Sequence, residues 1–334
     1  MKRKLLLLCT IFMIFSLTLF AAGQSDAKAE KVYELKLGHD QSSGHPYDMG
    51  AKKFAEGVEK ATNGAVKISI YPAAQLGDTP EQIEGLKMGT LDISVAAFSH
   101  VASFIPELDL FGVPFLFVDD DHFEKVFDGE VGEILDKASR DRYGIHLLST
   151  FTSGYRLLFN NKRPVNTTDD LRGMKIRVMG GEANALTWSV FGAIPTPLPY
   201  SEVYSALQAG VIDGAENEPV SVKLNRFYEK APYFALTKHL VLPMGVFISD
   251  RSLKKLPEEF QAILKEEALK AAKWERVYIT EENMNSVDEM RSFGVKVTEP
   301  EASAFQEKGK SIQDSIAKKL GLVDLLEKVR AAAY

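Results

Sequence analysis

Three polar side chains at fixed spacing carry the chemistry of this chain. Arg156 stands in Ser153-Gly154-Tyr155-Arg156, Arg177 follows 21 residues later in Met174-Lys175-Ile176-Arg177-Val178, and Asn217 ends Asp213-Gly214-Ala215-Glu216-Asn217 a further 40 residues on. A guanidinium offers a planar fork that meets a carboxylate through two parallel charge-assisted hydrogen bonds, where lysine supplies only a point charge. The asparagine amide both donates and accepts, which suits a carboxylate oxygen or a hydroxyl. Together these groups are suited to gripping an organic acid. Each also has an ordinary role: a strand-end arginine is commonly a surface or ion-pair residue, Arg156 equally suits a hinge, and Asn217 suits a turn close to Pro219.

Catalytic patterns find little support. The six histidines, His39, His45, His100, His122, His146 and His239, form no HExxH pair. The single cysteine, Cys9, lies in an N-terminal apolar run and lacks a partner for a disulfide or a zinc site. There is no GxSxG elbow, phosphate loop or GxGxxG after a strand. No cofactor or metal is expected, and a binding role ranks ahead of a secreted hydrolase.

The elements that must position the clamp are legible as periodicity. Met174, Ile176 and Val178 form one face of a strand, and Lys175, Arg177 and Met179 the other. Arg177 is near that strand's C-terminal end, before Gly180-Gly181, where open α/β sheets bind ligands. Val32 to Gly38 and Val66 to Tyr71 read as strands flanking a helix over His45 to Ala61, with a third strand over Leu91 to Val95. Thr79, Pro80 and Gln82 spell a helix start with a capping box. Strand, helix, strand in this order implies a parallel sheet with crossovers. Further helices are expected from Glu182 to Phe191 and from Ser201 to Ala209, and a strand from Lys238 to Ile248. Pro257 to Phe293 reads as one long helix, and Glu299 to Ala333 as amphipathic helix broken at Gly321.

An internal repeat suggests two similar halves. Leu86-Lys87-Met88-Gly89-Thr90-Leu91-Asp92 matches Leu207-Gln208-Ala209-Gly210-Val211-Ile212-Asp213 at an offset of 121 residues. Each is a helix ending in leucine, a glycine stop and an aliphatic-Asp pair opening a strand. If the halves correspond, Ile93 to Phe98 and Gly214 to Asn217 line one cleft from two sides.

Length and charge agree with this division. The N-terminus carries Lys2-Arg3-Lys4, an apolar run from Leu5 to Phe20, then small and polar residues, in the order of a secretory signal. Cleavage is expected after Ala29, or after Gly23, and residues 1–29 are assigned to the signal. Removing them takes four of the 40 basic residues and one of the 46 acidic ones, leaving 36 against 45, a net charge of −9. Such an acidic exported protein is a poor partner for nucleic acid or an anionic membrane. About 305 mature residues exceed what one core usually supports, so two lobes are expected.

The Arg156, Arg177 and Asn217 segments resemble the carboxylate clamp of the DctP-like solute-binding proteins of tripartite ATP-independent periplasmic (TRAP) transporters, and the resemblance runs through nearly all of the mature chain. It implies a two-lobe α/β periplasmic-binding-protein fold with a cleft between lobes and a long helix bracing both. The expected lobes are residues 30–153 with 243–282, and 154–242 with 283–334. It implies that Arg177 grips a substrate carboxylate, that Arg156 adds a second cation, and that Tyr200 covers the ligand. An aromatic at a helix start is ordinarily core or staple. Gln75, Phe98 and His39 are expected first-lobe contacts, although a histidine satisfied near the cleft is an equal reading of His39. Relatives often carry proline directly after the asparagine; here Glu218 intervenes and is added to the candidate contacts. Members that bind sialic acid carry a glutamate where this chain has Ala97. The expected function is a periplasmic receptor for a small organic acid, acting as a monomer with small and large TRAP membrane permease subunits. Many hydrogen-bonding groups around two arginines favour a sugar acid, D-glucuronate or D-galacturonate foremost, ahead of aldonates and C4 dicarboxylates. A receptor of an ATP-driven transporter is the competing binding module.

Overall fold

The computed structural model describes residues 31–334, so the expected signal segment lies outside the described residues. Alternating Leu35 and Leu37 bury one face of β1 (Tyr33–Gly38), which pairs in parallel with β2 (Val66–Tyr71) after helix α1 (Pro46–Ala61). Helix α2 (Thr79–Met88) leads to β3 (Ile93–Ala97), parallel to β1 on its other side. Its start differs from the expected capping box. Asp78 is the cap residue, and no side chain bonds to the first turn. Gln82 instead donates to the Gly77 carbonyl and accepts from Ser94, tying helix to strand.

After the short helix α3 (Phe98–Val101), and α4 (Asp120–Phe127) and α5 (Glu130–Tyr143), the 16-residue strand β4 (Ile145–Asn160) leaves the first lobe. The second lobe repeats the first: β5 (Lys175–Val178), α6 (Glu182–Phe191), β6 (Ile194–Pro197), α7 (Val203–Ala209) and β7 (Gly214–Asn217), with β5 parallel to both β6 and β7. Helix α8 (Pro219–Leu224) follows, and β8 (Tyr233–Ser249) returns antiparallel to β4. The resulting sheet runs β2-β1-β3-β8-β4-β7-β5-β6, with β9 (Lys296–Thr298) on β8.

The order β2-β1-β3 mirrors β6-β5-β7, and the repeat has matching chemistry. Both helices stop at a left-handed glycine, Gly89 and Gly210. Asp92 accepts from the Lys36 amide at 2.8 Å and Asp213 from the Lys175 amide at 2.9 Å, each aspartate bracing the neighbouring strand.

Between the lobes the backbone is irregular. The β4–β8 register shifts between Thr152 and Tyr155, where Ser153 Oγ accepts from the Leu242 amide. After α9 (Asp250–Leu253), the 35-residue helix α10 (Glu258–Ser292) spans this crossing. Its Asn283 donates to the Ser153 carbonyl and accepts from the Val220 amide, and its Glu275 accepts from the Thr152 amide. The chain closes with α11 (Ala302–Leu320) and α12 (Val323–Ala331). Residues 283–334 were expected in the second lobe, but α12 packs on the first. Leu325, Leu326 and Val329 join a core with Phe123, Leu135 and Ile145, because the amphipathic helix faces an apolar surface left open by α4 and α5. Among the described residues no helix is long and apolar enough to cross a membrane.

Candidate functional site

Both lobes and the two crossing strands contribute to one cavity. Its walls are Asp40, Gln41, Tyr47, Ala97 and His100 from the first lobe, Arg177, Met179, Tyr200, Asn217 and Glu218 from the second, and Arg156, Leu242 and Met244 from the crossing strands. The sheet explains the convergence. In the order β4-β7-β5, β7 sets Glu216 opposite Leu158 and Ala215 opposite Arg177, so Arg156, Asn217 and Arg177 come from three adjacent strands.

The two arginines have different electrostatics. Arg156, 3 % exposed, donates from Nε to Glu216 at 2.5 Å, from Nη1 to Glu218 at 2.6 Å, and from Nη2 to the Glu216 carboxylate and carbonyl. Burial opposes ionisation of both glutamates, but the Arg156 charge outweighs it and holds both carboxyls below the usual range. Arg156 was expected to serve as a second cation for the ligand; its charge is instead offset by these carboxylates.

Arg177, 1 % exposed, forms no ion pair with any carboxylate among the described residues. Its Nε donates to the Leu198 carbonyl at 2.9 Å, and its Nη2 finds no protein acceptor. Burial draws its pKa down to about 10, which still leaves it charged at neutral pH. A buried, uncompensated guanidinium is costly unless an anion meets it. Beside it, His100 is drawn down to about 3 by burial and by the Arg177 charge, so it stays neutral near pH 7.

The remaining expected contacts divide. Tyr200 borders the cavity, its hydroxyl accepting from Asn225 at 2.9 Å and from Asn217 at 3.4 Å, with the Arg177 guanidinium 5.9 Å from its ring centre. Asn217 and Glu218 both line the cavity. Glu218 resolves the departure noted in the sequence: β7 ends at Asn217, and Glu218 is an extended cap residue placing Pro219 at the first turn of α8. Its carboxylate also accepts from Ser221 at 2.6 Å and from Tyr47 at 3.4 Å. By the 121-residue offset it corresponds to Ala97, which lines the same cavity from the other lobe.

Phe98 is not a cavity residue. It opens α3, and its fully buried ring packs against Phe111, Phe127 and Phe247, because a helix starting directly after β3 turns this side chain into the core. Gln75 is exposed in the loop before α2 and does not reach the cavity. His39 lies behind the wall, buried, with Nε2 3.4 Å from Asp48. Its neighbours Asp40 and Gln41, in the turn beyond the end of β1, take the lining positions. Asp40, Gln41, Tyr47 and His100 were missed; the only signal was their position just beyond strand ends or at the start of α1.

The lobes are closed on each other. Ser201 Oγ donates to Asp78 at 3.1 Å across the mouth, and His45 Nε2 lies 2.9 Å from Ser221 Oγ. Asp109 of the first lobe accepts from the amides of Glu182 and Ala183 at the start of α6. Gly181 is required there, since a Cβ on it would fall 2.4 Å from Asp109 Oδ1.

A two-lobed α/β receptor with a buried free cation in its cleft defines a class of ligand-capturing proteins. The family described as bacterial extracellular solute-binding protein, family 7 (DctP), matches residues 37–320, and the chain belongs to it. It is 33 % identical over 287 residues to the 2,3-diketo-L-gulonate-binding periplasmic protein YiaO of Escherichia coli, covering 85 % of this chain and 87 % of that one. The solved TRAP periplasmic solute-binding protein of Chromohalobacter salexigens with bound D-glucuronate superimposes with a TM-score of 0.84 at 33 % identity, covering 89 % of this chain and 99 % of that one. The one from Sulfurospirillum deleyianum with bound succinate gives 0.84 at 32 % identity, covering 90 % and 99 %.

Proposed function

We propose that this protein is the periplasmic receptor of a TRAP transporter, capturing a sugar acid of the hexuronate type, such as D-glucuronate or D-galacturonate, and delivering it to separate membrane permease subunits. The observation that carries the reading is the free Nη2 of Arg177, buried at the cavity between the lobes without a protein acceptor. The ligand carboxylate docks on that edge, and Asn217 binds an oxygen beside it, with Tyr200 covering the ring. Arg156 acts indirectly, holding Glu216 and Glu218 in place. Closure is a hinge motion about the β4–β8 crossing: residues of both lobes meet the ligand only in the closed form, so the ligand favours that form.

The glucuronate-bound structural neighbour supports a uronate, and the succinate-bound neighbour supports a C4 dicarboxylate as the second reading. The hydroxyl acceptors of the first lobe favour the uronate. A thermal-shift screen of hexuronates, aldonates and dicarboxylates tests this. A ligand at a hundred times its Kd stabilises by about 2.7 kcal/mol, and the absence of a shift with every carboxylate overturns the proposal.

A further inference from the structure

Opposite Arg177, the first lobe presents a carboxylate that differs in its bonding from its neighbours. Glu216 and Glu218 are paired with Arg156, and Asp48 is bound by Lys52 at 2.6 Å and by the Gly44 amide at 2.8 Å. Asp40 has neither a cation nor a backbone donor. Its recorded hydrogen bonds are two long ones from neutral groups, Gln41 Nε2 at 3.3 Å and Thr79 Oγ1 at 3.4 Å. It borders both the inner cavity and the mouth bounded by Asp78, Pro80 and Leu198. Arg177 therefore shares its cavity with an under-bonded acceptor.

We propose that Asp40 is the specificity-determining residue of the cleft, accepting hydroxyls of a polyhydroxylated monocarboxylate and excluding ligands that carry a second carboxylate. This rests on the reading of Arg177 as the ligand's anchor. A hydroxyl is a donor and completes the bonding of Asp40, whereas a carboxylate only accepts and brings like charge. Of the two histidines that favour the Asp40 charge, His39 and His45, the first is already shared with Asp48. The neighbouring charged group Glu218 is also anionic, the nearby His45 is held below its ordinary pKa by burial, and Arg156 is engaged by two glutamates. With Asp40 ionised, Arg156 and Arg177 supply two positive charges against the three carboxylates Asp40, Glu216 and Glu218, so a second carboxylate on the ligand adds to a negative surplus in a buried space.

The test is calorimetric titration at pH 7.5 with D-glucuronate, with D-glucarate, which has the same carbon chain and a carboxylate at each end, and with succinate. Wild type is expected to bind D-glucuronate and to bind either diacid about a hundredfold or more weakly. Asp40→Asn, which keeps size and adds a donor, is expected to narrow that ratio about tenfold or more. Asp40→Ser supplies the same comparison if the amide variant does not fold. Diacid binding as tight as D-glucuronate, or an unchanged ratio in folded variants, overturns this inference while leaving Arg177 as anchor. Failure of every acid to bind wild type overturns the anchor reading, and this inference with it.

Discussion

Arg156 and Arg177 face one cavity from β4 and β5, with only β7 between them, yet they are opposites in bonding. Arg156 is engaged by Glu216 and Glu218, whereas Arg177 keeps Nη2 without a protein acceptor. The site therefore holds two cations of which one is available. That asymmetry separates the consequences of mutating them.

Arg177→Lys keeps the charge and loses the fork. Affinity for the acid should fall about tenfold or more, on the order of 1.4 kcal/mol, with the fold retained. Calorimetric titration measures it, and unchanged binding would show Arg177 to be structural.

Arg156→Ala should act first on stability. Removing one partner of a buried ion pair leaves uncompensated charge and costs about 3–5 kcal/mol. Urea unfolding of the ligand-free protein should show the loss. Full stability together with weakened binding would restore Arg156 to direct ligand contact.

Phe98→Ala and Gln75→Ala separate core from cleft. The first opens a cavity among Phe111, Phe127 and Phe247 and should cost about 3–5 kcal/mol. The second alters an exposed loop and should stay within about 0.5 kcal/mol. Neither should change affinity by more than about twofold at a temperature where both are folded. A large affinity loss in Gln75→Ala would bring that loop into the site.

Stability should decline on acidification through Glu216 and Glu218. Their folded carboxyls lie below the ordinary value of 4.5. A depressed folded pKa contributes stability that is present above the unfolded pKa and is lost as pH falls toward the folded one. The decline should therefore begin near pH 4.5 and continue below it. Urea midpoints measured from pH 7 to pH 3 check this, and a flat profile would mean that the Arg156 pairs contribute nothing.

Asn283→Ala removes two buried hydrogen bonds that tie α10 to the crossing at Ser153 and to α8 at Val220. A loss of about 1–3 kcal/mol is expected, because both backbone partners are left buried. Denaturant unfolding measures it.

Legibility followed physical locality. The strands Val66–Tyr71 and Lys175–Val178 and the helix Glu182–Phe191 were readable because periodicity and glycine stops act within a few residues. The boundaries of β3 and β8 were not, since pairing on the partner strand decides where a ladder ends. The Thr79 capping box was a correct local pattern displaced by a tertiary demand, the bond of Gln82 to Ser94. Of the expected contacts, Arg177, Asn217, Tyr200 and Glu218 line the cavity. Phe98 was turned into the core by the helix that starts directly after β3, and His39 stood one residue from the side chain that lines the cavity.

By itself, the sequence determined the repeated α/β halves, the long bracing helix and the presence of strand-end arginines, all consequences of short-range pattern and residue chemistry. Only the tertiary structure decided which arginine remains free, because compensation by Glu216 and Glu218 depends on distances across β4 and β7. It also brought Asp40 to the same cavity as Arg177. Charges 137 residues apart in the chain oppose each other there because two lobes fold over a shared sheet, and no local spacing encodes that approach.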